Sequence, residues 1–324
     1  LGVRCLGTIV PTPNPPEMSL YNEPLLTYKK NSKERVALEQ TLEKMSSTIE
    51  DIPIVIDGKE IRTDAVRYQV MPHNHQKKIA KYYYTTPELI KKAIDVATRR
   101  QREWEKVSID ERMKIWLRAA DLMAGKYRQE LNASTMLGQS KTVIQAEIDA
   151  AAELIDFFKI HAYFVKDALK YKPISTNPNE TLNSMRYRGM DGFIAAVSPF
   201  NFTAIGGNLA YTPALMGNAV LWKPSDTAVL SNWTIYKICK EAGVPDGIVN
   251  FVPAHGPDFG DTITESRYLA GINFTGSVPT FNRLWAQVGK NIGIYKNYPK
   301  LVGECGGKNY HFVHPSADVT TVVT

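Results

Sequence analysis

Cysteine is scarce in this sequence. Cys5, Cys239 and Cys305 are the only three among 324 residues, and none forms a C-x-x-C pair. This odd, widely spaced set argues against a disulfide framework and a cysteine-bound zinc site, and it indicates a reducing compartment. The six histidines include no group of three at a fixed spacing. We therefore expect no metal site, because zinc needs three or four converging ligands.

Long apolar runs and concentrated charge are also missing. No stretch of about 18 apolar residues occurs, so we expect no membrane-spanning helix. Lys and Arg number 39 against 33 Asp and Glu, giving a net charge of +6, but the basic runs are short and separated by acids. Nucleic-acid binding needs a concentrated basic face, so we expect neither a nucleic-acid nor a membrane partner. The 44% hydrophobic content suffices for a sizeable core.

The two ends of the chain have distinct features. Residues 1–16 contain one Arg, no acid and four prolines. This composition is compatible with the tail of a mitochondrial transit peptide and equally with a plain disordered terminus. The sequence starts at Leu1 rather than Met and stops at Thr324 in an unfinished polar segment. We therefore expect a fragment at both ends.

Strands alternate with helices from Gly192 onwards. Apolar runs predict strands at 193–197, 219–222, 249–252 and 269–274, and a helical pattern follows each one. This alternation is typical of a doubly wound parallel α/β sheet. Before it, Thr86 and Pro87 predict a helix start, Ser108 and Glu111 form a capping box, and a long helix is predicted from about Thr142 to Val165.

Polar loops follow three of these strands. They are 198–202, 223–226 and 276–280. A parallel sheet binds ligands at the carboxyl ends of its strands, so these loops could hold a nucleotide, although neither G-x-G-x-x-G nor a P-loop is present. Lys223 could bond ribose hydroxyls, and Asp226 would repel a 2′-phosphate, which favours NAD over NADP. Gly276 and Ser277 open a helix that could receive a pyrophosphate. Each feature could also be ordinary loop chemistry, such as a solvated lysine or an N-cap serine.

A second cluster spans Gly303–Asn309. Glu304 lies among glycines at a strand end, where a dry environment could raise the pKa of its carboxyl and suit it to general-base chemistry. Paired glycines indicate close backbone approach, which makes a plain surface carboxylate less expected.

These segments together resemble a known family. Ser198-Pro-Phe-Asn-Phe, Leu221-Trp-Lys-Pro-Ser-Asp, Phe274-Thr-Gly-Ser-Val-Pro-Thr and Gly303-Glu-Cys-Gly-Gly-Lys-Asn resemble, in order, signatures of the aldehyde dehydrogenase superfamily. The segment from Lys141 to Phe158 is most similar to members that oxidise glutamate semialdehyde. The resemblance covers residues from about 20 to the end, and four collinear motifs make chance agreement very improbable.

The resemblance implies a reaction and a site. A cysteine thiolate attacks the aldehyde, hydride passes to NAD, and activated water hydrolyses the thioester. Asn201 matches the oxyanion donor and Glu304 the general base. Phe202 and Glu153 match side chains lining the aldehyde entrance. The matching cofactor contacts are Ser198, Lys223, Asp226, Gly276, Ser277, Val278, Pro279 and Thr280.

Two departures from the family pattern stand out. Phe281 replaces a frequent glycine, so the helix start could be tighter around the pyrophosphate. The family also places its nucleophile roughly 30–35 residues after the base, in a Gly-Gln-x-Cys context, whereas 20 residues follow Glu304. The resemblance therefore implies a nucleophilic cysteine outside this chain. Cys305 is a poor substitute, because adjacent strand residues point to opposite faces.

The resemblance also implies a domain plan. It comprises a leader and extension at 1–50, an NAD-binding domain at 51–167 and 191–303, oligomerisation strands at 168–190, and the start of a second α/β catalytic domain at 304–324. A homodimer in the mitochondrial matrix, oxidising glutamate semialdehyde to glutamate in proline catabolism, is the expected setting. Two alternatives stay open: another aldehyde as substrate, or an inactive NAD-binding or dimerisation fragment.

Overall fold

The computed structural model describes residues 21–324. Cys5 and the proline-bearing leader at 1–16 lie outside the described residues. The first described helix, α1 (Lys33–Ser46), has Ser32 as its N-cap, whose Oγ accepts from Arg35 N. Among the described residues, no helix is both long and apolar enough to cross a membrane.

The first half of the chain is mainly helical, with two small strand groups. The strands are β1 (Glu50–Ile52), β2 (Ile54–Ile56), β3 (Lys59–Ile61), β4 (Val66–Met71) and β5 (Asn74–Tyr83). The helices are α2 (Pro87–Trp104), α3 (Ile109–Ala124), α4 (Arg128–Gln139), α5 (Val143–Ala146) and α6 (Leu154–Ala168), with a π-helical segment, Glu147–Glu153, between the last two. The expected caps are confirmed: Thr86 begins α2, and Ser108 with Glu111 forms the capping box of α3.

The second half builds the parallel sheet. Its strands are β6 (Phe193–Val197), β7 (Ala219–Lys223), β8 (Val249–Phe251), β9 (Leu269–Gly276) and β10 (Lys300–Cys305). Its helices are α7 (Thr203–Leu215), α8 (Val229–Ala242), α9 (Gly256–Thr264), α10 (Val278–Lys290) and a short terminal α11 (Val319–Val323). The strand order is β10-β9-β6-β7-β8-β2-β3, and the first five strands are parallel. The expected doubly wound α/β sheet is confirmed.

Alternation of side chains along the strands separates two cores. On β6, Ile194 and Ala196 belong to one buried cluster, which α3, α6, α7 and α8 cover. Phe193 and Ala195 face the other cluster, which α2, α9 and α10 cover. The four strands β6 to β9 are thus buried on both faces, as the continuous apolar runs predicted, whereas β10 exposes Val302, Gly303 and Glu304. The order reverses around β6, which places the loops after β6, β7 and β9 side by side at one sheet edge.

A hairpin that turns at Asp57-Gly58 joins this sheet. Both residues have positive φ, 55° and 73°, as a tight hairpin turn requires. Its first strand, β2, pairs antiparallel with β8 and extends the parallel sheet by two strands. The remaining strands, β1, β5 and β4, form a separate three-stranded sheet.

Two predictions of local structure differ from the fold. The helix expected from about Thr142 to Val165 is interrupted by the π-helical segment. Residues 169–192 form no strand, although strands were expected at 168–190. A strand needs another strand to pair with, and within residues 21–324 no strand pairs with this segment. Its expected pairing between subunits stays a prediction.

Candidate active site

The loop after β6 presents two side chains to solvent. Asn201 and Phe202 are exposed, immediately before α7. The Asn201 side chain makes no hydrogen bond within residues 21–324, so its amide is available to a ligand. Ser198 is different: it is buried, and its Oγ accepts a 2.6 Å hydrogen bond from Trp222 Nε1. That bond fixes the loop to β7.

The loop after β7 begins with Lys223 at the strand end. Burial lowers the pKa of its ammonium, and the charge of Asp226 opposes that shift. Asp226 Oδ2 accepts a 2.5 Å hydrogen bond from Tyr84 Oη, while the buried Oδ1 has no partner. Burial, together with the hydrogen bond to Asp226, raises the pKa of Tyr84 to about 12, so the phenol stays a donor. Asp226 therefore keeps one acceptor oxygen unpaired but buried, and its charge acts on Lys223.

The loop after β9 opens helix α10. Ser277 is the N-cap, and its Oγ accepts from Thr280 N at 3.4 Å. Pro279 occupies the first turn, where a missing N–H does no harm. Ser277 is therefore an N-cap, and binding of a pyrophosphate at this helix start stays a prediction. The ring of Phe281 turns towards the sheet, where a Cβ on Gly303 would lie 2.4 Å from it.

Glu304 and Cys305 point to opposite faces of β10. Cys305 packs with the cluster covered by α10. Glu304 is exposed, and its Oε2 accepts from Thr275 Oγ1 at 3.4 Å. Its charge reaches Glu153, whose carboxyl has a pKa raised by burial and by the charges of Asp149 and Glu304, with Lys141 opposing. The glycines beside Glu304 therefore do not provide the dry environment expected there, and Glu153 is the partly buried acid.

The other described cysteine is unsuited to nucleophilic chemistry. Cys239 lies in α8, is fully buried, and burial raises the pKa of its thiol far above the usual range. It belongs to the hydrophobic core. Among residues 21–324, no group of three metal-ligating side chains occurs.

Several site residues escaped the sequence analysis. Asp149 and Lys141 form a 2.6 Å ion pair beside the Asn201 loop, and the Lys141 ammonium lies 3.9 Å from the ring centroid of Phe202. Tyr84 approaches Asp226 from the end of β5, across 142 positions of sequence. A cavity of about 400 Å³ opens beside Tyr84, and Arg67 and His255 are among its lining residues. No local sequence pattern joins these groups, because only the fold brings them together.

Known proteins are similar to this chain in sequence. The family model described as the aldehyde dehydrogenase family matches residues 61–324. The mitochondrial delta-1-pyrroline-5-carboxylate dehydrogenase of Danio rerio is 54% identical over 303 residues, covering 94% of this chain and 54% of that protein. The Homo sapiens protein of the same name is 54% identical over 307 residues, covering 95% of this chain and 54% of its own length.

Solved structures are similar to this chain in fold. The delta-pyrroline-5-carboxylate dehydrogenase from Mycobacterium tuberculosis bound with NAD has a TM-score of 0.86 at 42% identity, covering 94% of this chain and 55% of that one. The NAD-bound 1-pyrroline-5-carboxylate dehydrogenase from Thermus has a TM-score of 0.78 at 25% identity, covering 90% of this chain and 56% of its own. The chain therefore spans about half the length of the relatives it matches. By the extent of the family match and the agreement of fold, this chain belongs to the aldehyde dehydrogenase family.

Proposed function

We propose that this chain is the cofactor-binding part of an NAD-dependent dehydrogenase that oxidises L-glutamate γ-semialdehyde, the open form of delta-1-pyrroline-5-carboxylate, to L-glutamate. The observation that carries the proposal is the placement of three loops suited to a dinucleotide at one sheet edge, with Asn201 in the first loop and Glu304 near the end of β10, where its charge reaches Glu153. The names of the relatives support the choice of substrate.

The residues present fit NAD. The start of α10 offers first-turn N–H groups and the positive end of a helix dipole to a pyrophosphate. Lys223 offers a donor to ribose hydroxyls, and the carboxylate of Asp226, whose Oδ1 is buried, places a negative charge beside it. Ser198, Gly276, Val278 and Thr280 complete the proposed contact set. When bound, NAD supplies the acceptor for the hydride that leaves the substrate carbon.

The site residues have separable roles in this reaction. Asn201 donates its amide N–H to the carbonyl oxygen as negative charge develops there. Glu304 takes a proton from the water that attacks the thioester, and the cysteine leaves as thiolate. Phe202 and Glu153 line the approach of the aldehyde. In sum, aldehyde, water and NAD⁺ become carboxylate, NADH and two protons.

Neither described cysteine is the proposed nucleophile. Cys239 is enclosed by the core, and Cys305 faces away from Glu304 towards α10. We propose that the thiol comes from a segment of the whole protein beyond these residues, as the family resemblance implies.

The site of action and the assembly are also part of the proposal. The relatives named as mitochondrial support a mitochondrial location, and we propose the matrix. We further propose a homodimer in which the segment 168–190 pairs with a second copy. Its apolar side chains are largely exposed, with Tyr171 71%, Ile174 82% and Leu182 73% accessible. These exposed apolar side chains suit an interface with a second copy of the chain.

The test is Glu304→Gln in the whole protein. Hydride transfer precedes hydrolysis, so we expect a burst of about one NADH per active site followed by slow turnover. Rapid-mixing absorbance with glutamate semialdehyde and NAD measures both phases. Glu265→Gln, an exposed acid at the end of α9, is the matched control and should keep wild-type rates. A burst rate lowered as much as the steady state would contradict the role of Glu304.

A further inference from the structure

Helix α7 lacks a cap of its own. It follows the Asn201–Phe202 turn directly, and its first N–H groups need acceptors, as at any helix start. Its N-cap residue, Phe202, makes no side-chain capping bond. Asp149 supplies the acceptors from a distant element: Oδ2 accepts from Thr203 N at 3.0 Å, and Oδ1 accepts from Ala204 N at 2.8 Å. A carboxylate at this end also interacts favourably with the helix dipole.

Asp149 is itself tightly held. Its side chain is 1% exposed and lies in the π-helical segment. Lys141 Nζ is 2.6 Å from Oδ2, and the same ammonium lies over the ring of Phe202. One buried ion pair therefore fixes the Asn201–Phe202 turn in two ways, through the backbone after it and through the ring within it.

The same segment also carries an acid of the substrate entrance. Asp149 and Glu153 are four residues apart, and the charge of Asp149 contributes to the raised pKa of Glu153. π-Helical turns are rare and occur frequently at functional sites. The irregular helix thus connects the Asn201 turn and the aldehyde entrance within one rigid element.

We propose that Asp149 is a positioning residue that sets the Asn201 amide against the aldehyde oxygen by capping α7 and anchoring Lys141 over Phe202. The proposal rests on the proposed function and names a residue through which that site is built. Asp149 does not touch the substrate, so its effect on catalysis must pass through Asn201.

The test is a double-mutant cycle with Asp149→Ala and Asn201→Ala in the whole protein. We expect Asp149→Ala to lower kcat about tenfold to a hundredfold, below the loss from removing an oxyanion donor itself. The Kd for NAD should change less than about twofold, because Asp149 makes no proposed cofactor contact. The KM for the aldehyde should rise by a smaller factor than kcat falls, because Phe202 shifts at the entrance while the main loss is transition-state stabilisation. In the Asn201→Ala background, the further loss from Asp149→Ala should fall below about twofold.

Two further variants test whether a loss of kcat comes merely from lost side-chain volume or from replacing any acid in this region. Asp149→Asn keeps the volume and one carbonyl oxygen, so its kcat should lie between those of wild type and Asp149→Ala. Asp156→Asn is the matched control: Asp156 lies in α6 and accepts bonds from Asn22 and Glu23, away from α7. Its kcat should match wild type. An unchanged kcat in Asp149→Asn, or equal losses in both backgrounds, would overturn the proposal.

A second readout needs no activity. Amide hydrogen exchange at Thr203 and Ala204 should accelerate in Asp149→Asn and stay unchanged in Asp156→Asn. If the wild-type protein oxidised no aldehyde, the proposed function would fail, and this exchange would still decide the role of Asp149. Unchanged exchange at both amides would overturn the cap, and with it the inference.

Discussion

At the residue scale, Glu153 is a partly buried acid whose ionisation lowers the free energy of unfolding. Burial and neighbouring acids raise the pKa of its carboxyl above the ordinary value for a glutamate. The unfolded chain therefore releases this proton more readily than the folded one. Between the unfolded and folded pKa values, the contribution of Glu153 to the free energy of unfolding falls as pH rises. Once ionised, the Glu153 carboxylate therefore opposes folding.

Replacing Glu153 should reveal that cost. We expect Glu153→Gln to match wild type in the free energy of unfolding near pH 4, and to exceed it near pH 7, because Gln carries no charge to desolvate. Urea unfolding at both pH values measures the difference. Glu265→Gln, which is exposed, serves as control and should show no such growth. A Glu153→Gln advantage that does not increase with pH would contradict the assignment.

Also at the residue scale, we propose that Asp226 sets the choice of cofactor. Tyr84 donates a hydrogen bond to one of its oxygens, and the other oxygen is buried. A fixed negative charge beside the ribose would repel a 2′-phosphate. We expect the whole protein to have a much higher kcat/KM with NAD than with NADP. Asp226→Asn should lower the ratio of the kcat/KM for NAD to the kcat/KM for NADP. Asp95→Asn, exposed on α2, should leave it unchanged. Equal kcat/KM values in wild type would contradict this role.

At the element scale, the start of β6 depends on a glycine. Gly192 has φ +144°, and a Cβ there would lie 2.1 Å from the carbonyl oxygen of Tyr268. Gly192→Ala should therefore lower the free energy of unfolding, by about 1–3 kcal/mol from backbone strain alone. Gly289 in α10 is the matched control, because a Cβ added there would meet no neighbouring atom within 4 Å. Gly289→Ala should raise stability by about 0.5–1 kcal/mol.

Urea denaturation of both glycine variants tests this pair. Equal stability of Gly192→Ala and wild type would show that β6 can shift without loss. A destabilised Gly289→Ala would show that glycine-to-alanine changes are harmful in this fold for a more general reason.

Elements set by neighbouring residues were predictable from the sequence. The start of α2 at Thr86 and the capping box of α3 depend on residues three positions apart, and the parallel strands are continuous apolar runs. The π-helical segment was not predictable, because its periodicity is close to that of an α-helix. The cap from Asp149 to Thr203 spans 54 positions, so no local pattern records it. The sequence therefore predicted the loops of the site, but it did not predict the side chains that orient those loops.

At the scale of the whole molecule, the residues proposed to contact NAD and the proposed nucleophile belong to different segments of the whole protein. The loops proposed to contact NAD lie on β6, β7 and β9, all within the described sheet. The side chains towards residue 324 are instead exposed, including Tyr310 at 84%, Phe312 at 87% and Val323 at 75%. Exposed apolar side chains in such number favour association, so low solubility is expected for this chain on its own.

A protein made of residues 1–324 alone should bind NAD and form no NADH from glutamate semialdehyde. The strands that carry the proposed cofactor loops all lie within the described sheet. By contrast, Cys239 is enclosed by the core and Cys305 faces α10, so neither thiol can reach an aldehyde held near Asn201. Without a thiol adduct no tetrahedral carbon forms to expel hydride, so Asn201 and Glu304 have no transition state to stabilise. Calorimetric titration with NAD and an absorbance assay for NADH measure the two properties. Turnover that Cys305→Ser abolished would contradict both the separation of functions and the placement of Cys305 on the α10 face.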